Sequence, residues 1–211
     1  MTFLSRCMNI FPALHLLCMV IACSYFISDV SVRYFFMLLF CIYGLPLLCM
    51  KLHQRIHVMR EGTTDLLKAH YSAWWGAHQI QAVFNALPFF ETILRLIPGA
   101  YSLWLRSWGS QIGKKVYWTS QVEITDRSLM NVGDHVIFGH KVACYSHVIA
   151  RKPTKLLLYV KRIKIGDHVF IGAGSRLGPG TIIAAHTALP LLTDLKINQH
   201  THEEVACQIS E

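Results

Sequence analysis

The sequence predicts a parallel, three-sided β-solenoid carried behind a membrane-spanning helical hairpin. Three observations predict it. Apolar residues return every sixth position from Ile112 onward, two long stretches of the first fifty residues are almost free of charge, and the basic excess is concentrated in one segment that interrupts the repeat. Of 211 residues, 53% are hydrophobic and 15% charged, which excludes a disordered chain and provides for one ordinary core plus a lipid-immersed segment. The seven cysteines (7, 18, 23, 41, 49, 144 and 207) contain no Cys-x-x-Cys pair and are too few for a disulfide scaffold. Five of them lie in the first fifty residues and read as apolar packing.

Residues 1–60 are expected to form the hairpin. IFPALHLLCMVIACSYFIS (10–28) and YFFMLLFCIYGLPLLCM (34–50) each approach the roughly 20 residues needed to cross about 30 Å of hydrocarbon. Asp29-Val-Ser-Val-Arg33 between them permits only a tight turn. Lys51, Arg55 and Arg60 follow the second stretch, and by the positive-inside rule that end is cytoplasmic, along with everything after it. Two other readings remain: a cleaved lipoprotein signal at Val20-Ile-Ala-Cys23, and a buried hairpin in a soluble protein.

Residues 61–111 hold four of the five tryptophans, Trp74, Trp75, Trp104 and Trp108, interleaved with Lys68, Arg95 and Arg106. Such interleaving predicts amphipathic helices lying in the headgroup zone, or helices that cap a soluble core.

From Ile112 the leading register runs Ile112, Trp118, Ile124, then after a two-residue insertion Val132, Phe138 and Cys144, then after a longer insertion Ile165, Ile171, Leu177 and Ile183. Four residues behind each stands a small or β-branched side chain, from Val116 and Val122 to Thr181 and Thr187. Glycine follows the leading residue at 113, 133, 139, 166, 172 and 178, where it is expected to accommodate the corner's backbone angles. Each hexad makes a short strand and a corner, and three hexads make one coil that stacks in parallel on the next. About three coils are expected over 112–188, with a loop insertion at 150–164 and a tail at 189–211.

The repeats IGKKVY, VGDHVI, FGHKVA, IGDHVF and IGAGSR resemble those of the bacterial hexapeptide-repeat acyltransferases. The resemblance implies a left-handed parallel β-helix, an acyl-CoA donor with acetyl-CoA foremost, a homotrimer with its sites between neighbouring solenoids, and a bacterial inner-membrane setting with the catalytic domain on the cytoplasmic face. The acceptor expected is a saccharide or lipid-linked envelope intermediate, because the membrane anchor would hold the site where such intermediates are built. The family's catalytic histidine lies just before a long insertion, and the chain returns with an Ile-Gly-x-x-Val-aromatic-Ile-Gly signature. Here Ser146-His147 precedes the insertion and Ile165-Gly-Asp-His-Val-Phe-Ile-Gly172 follows it. His147 is therefore the expected general base, since a neutral imidazole has nearly the right pKa to take an acceptor's proton. His140 is the second candidate, as a partner that orients His147 or the acceptor. Ala173 and Gly174 match the family's pantetheine-contacting position.

The insertion ARKPTKLLLYVKRIK carries six basic residues and no acid, so Arg162 and Lys164 with their neighbours are expected to meet coenzyme A phosphates or anionic lipid. Of the formal net charge of +8, this segment holds most, which argues for a local anion site and against a nucleic-acid partner. Two rivals remain. A γ-class carbonic anhydrase would need three histidines around zinc, but Gly139-His140 is followed at 145 by tyrosine, so no metal is expected. A non-catalytic membrane-anchored scaffold would need none of this chemistry.

Overall fold

The structure is a computed structural model that describes residues 2–68 and 70–201, and the chain divides into two compact units. The first comprises Met1–Arg60 and Leu66–Leu87, the second Glu61–Asp65 and Pro88–Glu211. The stretch 61–111, expected as one connector, is thus shared between the two. Cys207, in the expected tail, lies outside the described residues.

In the first unit, α1 (Phe3–Met8), α2 (Phe11–Ser28), α3 (Val32–Leu39), a π-helical turn (Phe40–Gly44) and α4 (Leu45–Ile56) build an antiparallel hairpin. The runs Phe3–Ser28 and Val32–Ile56 are each long and apolar enough to cross a membrane. Helix α2 is apolar on every face and leaves Leu14, Leu17 and Val20 exposed. At the hairpin turn, Arg33 bonds Asp29 at 2.9 Å.

The π turn has a local cause. Leu45 N–H pairs with Phe40 O, a five-residue span, and in that register Cys41 O faces the nitrogen of Pro46, which has no hydrogen. His15 Nε2 donates to Cys41 O instead, at 2.9 Å.

Between the hairpin and helix α5, strand β1 (Gly62–Asp65) belongs to the second unit. Helix α5 (Ala73–Ala86) packs on α2 and α4 and buries Trp74, Ala77, Ile80, Val83 and Phe84. In the second unit, α6 (Phe89–Arg95) and α7 (Ala100–Ser107) precede the solenoid, with Tyr101, Trp104, Leu105 and Trp108 buried. The tryptophans expected at a membrane surface are therefore mostly core residues of their own units. Aromatic rings gain more from close packing than from a headgroup layer when a partner face is at hand.

The second unit winds as predicted and further. Strands β2 (Gln111–Ile112), β3 (Tyr117–Trp118) and β4 (Glu123–Ile124) make the first coil, and β5 (Met130–Val132), β6 (Ile137–Phe138) and β7 (Ala143–Cys144) the second. An arm follows, β8 (His147–Lys152) and β9 (Lys155–Val160), before β10 (Ile163–Ile165), β11 (Phe170–Ile171) and β12 (Arg176–Leu177) resume the winding. The fourth coil is β13 (Ile182–Ile183), β14 (Ala188–Leu189) and β15 (Asp194–Leu195), and β16 (His200–Thr201) opens a fifth. These strands stack into three parallel sheets, with Ile112 level with Val132, Trp118 with Phe138 and Ile124 with Cys144.

The described residues therefore hold four full coils rather than about three, and the repeat continues past residue 188. Leu189, Leu195 and Thr201 keep the six-residue phase, so the boundary at 188 is corrected. Leading residues of the repeat from Ile112 to Leu189 are buried, apart from Trp118, which stacks on Phe138 with ring centroids 4.3 Å apart.

The glycines also act differently from the expectation. Left-handed backbone falls instead on Lys115, Gln121, His135, Lys141, His168, His186, Leu192 and Asn198, together with Gly174 and Gly180. The glycines after the leading residues are required by close approach between coils: a Cβ on Gly139 would lie 2.6 Å from Ala173 N, and one on Gly133 2.7 Å from Gly166 C.

The insertion is an antiparallel hairpin, β8 paired with β9, to which β1 adds a third strand through Gly62–Asp65 against Leu157–Val160.

Candidate functional site

The first coil is two residues too long, and the excess forms a buried corner. Between Ile124 and Met130, Leu129 N–H donates to Asp126 O at 3.0 Å, and Ser110 Oγ donates to Arg127 O at 2.7 Å while accepting from Met130 N–H at 2.9 Å. This corner places two charged residues, Asp126 and Arg127, where each is only 1% exposed. Buried charges persist only when paired, and both are.

Asp126 Oδ2 accepts from His147 Nδ1 at 2.7 Å and from Thr125 Oγ1 at 3.1 Å. His147 opens β8 just where the chain leaves the second coil, and its side chain retains 19% exposure. A carboxylate on Nδ1 fixes the tautomer and ring plane, places the basic lone pair on Nε2, and stabilises the imidazolium that forms when Nε2 takes a proton.

Arg127 turns the other way. Its Nε and Nη2 donate to Glu91 Oε1 and Oε2 at 2.6 and 2.9 Å, and Trp104 Nε1 donates to Oε1 at 2.9 Å. Burial alone would discourage the Arg127 charge, but the Glu91 carboxylate more than offsets it and holds the pKa above the usual arginine value.

The other expected site residues are placed as follows. His140 pairs through Nδ1 with Ser120 Oγ on the preceding coil at 3.2 Å, so the partner that orients His147 is Asp126. Ala173 and Gly174 occupy the corner stacked on His140. Gly174 N–H donates to His140 O at 2.8 Å and Ala173 O accepts from Leu192 N–H at 2.9 Å, so these groups serve the stack between coils. Arg162 donates to Met130 O at 3.2 Å and lies 3.7 Å from Glu61, bracing the base of the arm. Lys164 faces outward on β10. The exposed cations of the arm's tip are Arg151, Lys152 and Lys155.

Tyr145, the residue set against a zinc site, donates to Glu123 Oε2 at 3.3 Å, and burial followed by the Glu123 charge raises its pKa. His135, His168 and His186 stack as a column on one corner, with centroids 4.6 and 5.0 Å apart. Among the described residues no group of three or more His, Cys, Asp or Glu is placed to hold a metal.

Asp126 is the residue that sequence reasoning missed. Its one signal in the sequence is the two-residue excess in an otherwise regular repeat, which marks the corner but not the residue.

Taken by fold, the second unit is a parallel three-sheet β-helix with a hairpin arm. No protein-family model matches the chain, and no curated protein sequence matches it. Among solved structures it is similar to a hexapeptide-repeat-containing acetyltransferase of Vibrio cholerae O1 biovar eltor complexed with acetyl coenzyme A. The identity is 17% and the TM-score 0.42, over 64% of this chain and 89% of that one. A second structure of the Vibrio cholerae acetyltransferase matches at 16% identity and TM-score 0.32, over 55% and 84%. Serine acetyltransferase isoform 3 of Entamoeba histolytica, in complex with cysteine, matches at 14% identity and TM-score 0.20, over 83% and 77%.

Proposed function

We propose that the chain is a membrane-anchored acyltransferase that moves an acetyl or longer acyl group from acyl-CoA to a hydroxyl or amine of a saccharide or lipid-linked acceptor. The observation that carries this reading is the buried Asp126 carboxylate 2.7 Å from His147 Nδ1. Nε2 takes the proton as the acceptor's oxygen or nitrogen attacks the thioester carbonyl. The carbon–sulfur bond then breaks, and the imidazolium returns the proton to the departing thiolate. Asp126 is the positioning residue and His147 the catalytic one.

The two apolar helical runs hold this chemistry at a cytoplasmic membrane face, and the basic tip of the arm offers cations to the phosphates of coenzyme A. A homotrimer brings the donor groove of one solenoid against His147 of its neighbour, with Ala173 lining that groove.

The test is mass spectrometry of the full chain in nanodiscs, incubated with acetyl-CoA and a membrane extract. The expected result is consumption of the thioester and an acetylated acceptor. His147→Ala and Asp126→Asn are each expected to slow turnover by about 10²–10⁴-fold, the range for a lost general base. A folded wild-type chain that consumes no thioester overturns the proposal in favour of a scaffold.

A further inference from the structure

The second unit contains a cavity outside the Asp126–His147 site. It has a volume of about 280 Å³ and lies between the α6–α7 connection and the first coil. Arg95 and Tyr101 line it at depth, while Leu96, Ile97, Tyr117 and Trp118 supply apolar walls, the first three of them exposed. It is smaller than a typical drug-sized pocket.

Its polar groups are incompletely satisfied. Arg95 is 6% exposed, and one Nη2–H donates to Val122 O at 2.7 Å. Its Nε makes no hydrogen bond among the described residues, and the buried Tyr101 hydroxyl has only the Arg95 guanidinium beside it. Glu91, the carboxylate nearest Arg95, is 4.0 Å away and already gives both oxygens to Arg127. The Arg95 guanidinium lies over the Tyr101 ring at 4.2 Å, which lowers the cost of its burial without supplying an acceptor. Burial holds the Tyr101 pKa well above the usual phenol value, so its hydroxyl stays protonated and can donate. Native structures leave few buried donors unpaired, so the Arg95 Nε–H and the Tyr101 O–H, which has Arg95 beside it but no acceptor of its own, are where an outside acceptor fits.

We infer that this cavity binds a small single-tailed amphiphile whose anionic head, carboxylate or phosphate, meets Arg95 and whose apolar tail lies along Leu96, Ile97, Tyr117 and Trp118. Charge complementarity selects the head, because Glu91, the only carboxylate paired with Arg95 among the described residues, stands 4.0 Å off and is hydrogen-bonded to Arg127, which leaves the guanidinium able to take an oxyanion. The apolar mouth selects the tail. The site is independent of the acyl-transfer reading.

The test is photo-cross-linking of the full chain in nanodiscs with a diazirine-bearing decanoate, with adducts mapped by mass spectrometry. Adducts are expected on the peptides holding Leu96, Ile97 and Tyr117. They should fall at least tenfold in Arg95→Met and with the corresponding neutral decanol probe. Displacement by unlabelled decanoate or by decyl phosphate supports the site and tells which head it favours. Because Arg95 also bonds Val122 O, its loss can disturb folding. Ile97→Trp, at an exposed position of the mouth, fills the cavity without touching that bond and is expected to block labelling equally. The inference is overturned if adducts spread over the helical hairpin and spare 96–117, if the neutral probe labels as well, or if labelling survives Ile97→Trp.

Discussion

At the scale of single residues, the solenoid is governed by how closely main chains of successive coils approach. Gly139 leaves no room for a Cβ against Ala173, and the same holds for Gly133 under Gly166. Gly139→Ala must push two coils apart, at a cost of about 1–3 kcal/mol, the range for overpacking. Cys144 offers a readout. It is fully buried next to this layer, and burial pushes its thiol up to about 12, so at pH 8 it is an inert thiol in the folded chain. We expect iodoacetamide to leave Cys144 unmodified in the wild type and to alkylate it measurably faster in Gly139→Ala, monitored by peptide mass spectrometry. Equal rates would mean that the coil absorbs the extra methyl without opening.

At the scale of elements, the lengthened corner of the first coil joins α6 to the arm. Glu91 on α6 holds Arg127, the adjoining Asp126 holds His147, and His147 begins β8. Breaking one side of a buried pair leaves Glu91 with only Trp104 Nε1 at 2.9 Å and the Arg95 guanidinium 4.0 Å away, so Arg127→Met is expected to cost about 3–5 kcal/mol. The double variant Glu91→Gln with Arg127→Met is expected to recover only part of that loss, because the Glu91–Arg127 pair is then absent from both sides while buried Arg95 loses its nearest carboxylate. Thermal unfolding followed by tryptophan fluorescence distinguishes the two, and a double variant no more stable than the single one would contradict the account. The arm itself was expected as a loop. Its apolar run Leu156–Val160 becomes a strand because β8 and β1 are both available to pair with it, and β1 is drawn from 62–65, far away in sequence.

At the scale of the whole molecule, the winding sets stability through neighbour-to-neighbour stacking. A chain ending at Ala188 loses β15 and β16 and breaks β14, which uncovers Ile171, Leu177 and Ile183. Each such aliphatic contributes about 1.5–3 kcal/mol when buried, so the shortened chain is expected to melt well below the full one by scanning calorimetry of the second unit's transition. An unchanged melting temperature would mean that the fourth coil adds nothing. The first unit carries its own prediction. If Phe3–Ser28 and Val32–Ile56 cross the bilayer, the full chain stays with the membrane pellet after alkaline carbonate extraction, whereas release into the supernatant indicates a soluble helical unit.

The six-residue phase, the apolar hairpin and the position of His147 before the insertion were readable in the sequence, because each depends on spacing along a single chain. The repeat past 188 was hidden because ALPLLTDLKINQ keeps the leading leucines but loses the glycines that marked earlier corners. Asp126 was hidden because its partner lies 21 residues away, and pairing over that distance is decided by which corners stack, not by local spacing. The inward turn of Trp74, Trp104 and Trp108 was hidden for a related reason: an aromatic ring is equally at home in a headgroup layer and in a core, and only the packing surface presented by neighbouring elements selects between them. The sequence by itself thus determined the period and the elements. The tertiary structure decided which buried charges meet and which apolar faces are covered, since both depend on distances that local pattern does not contain.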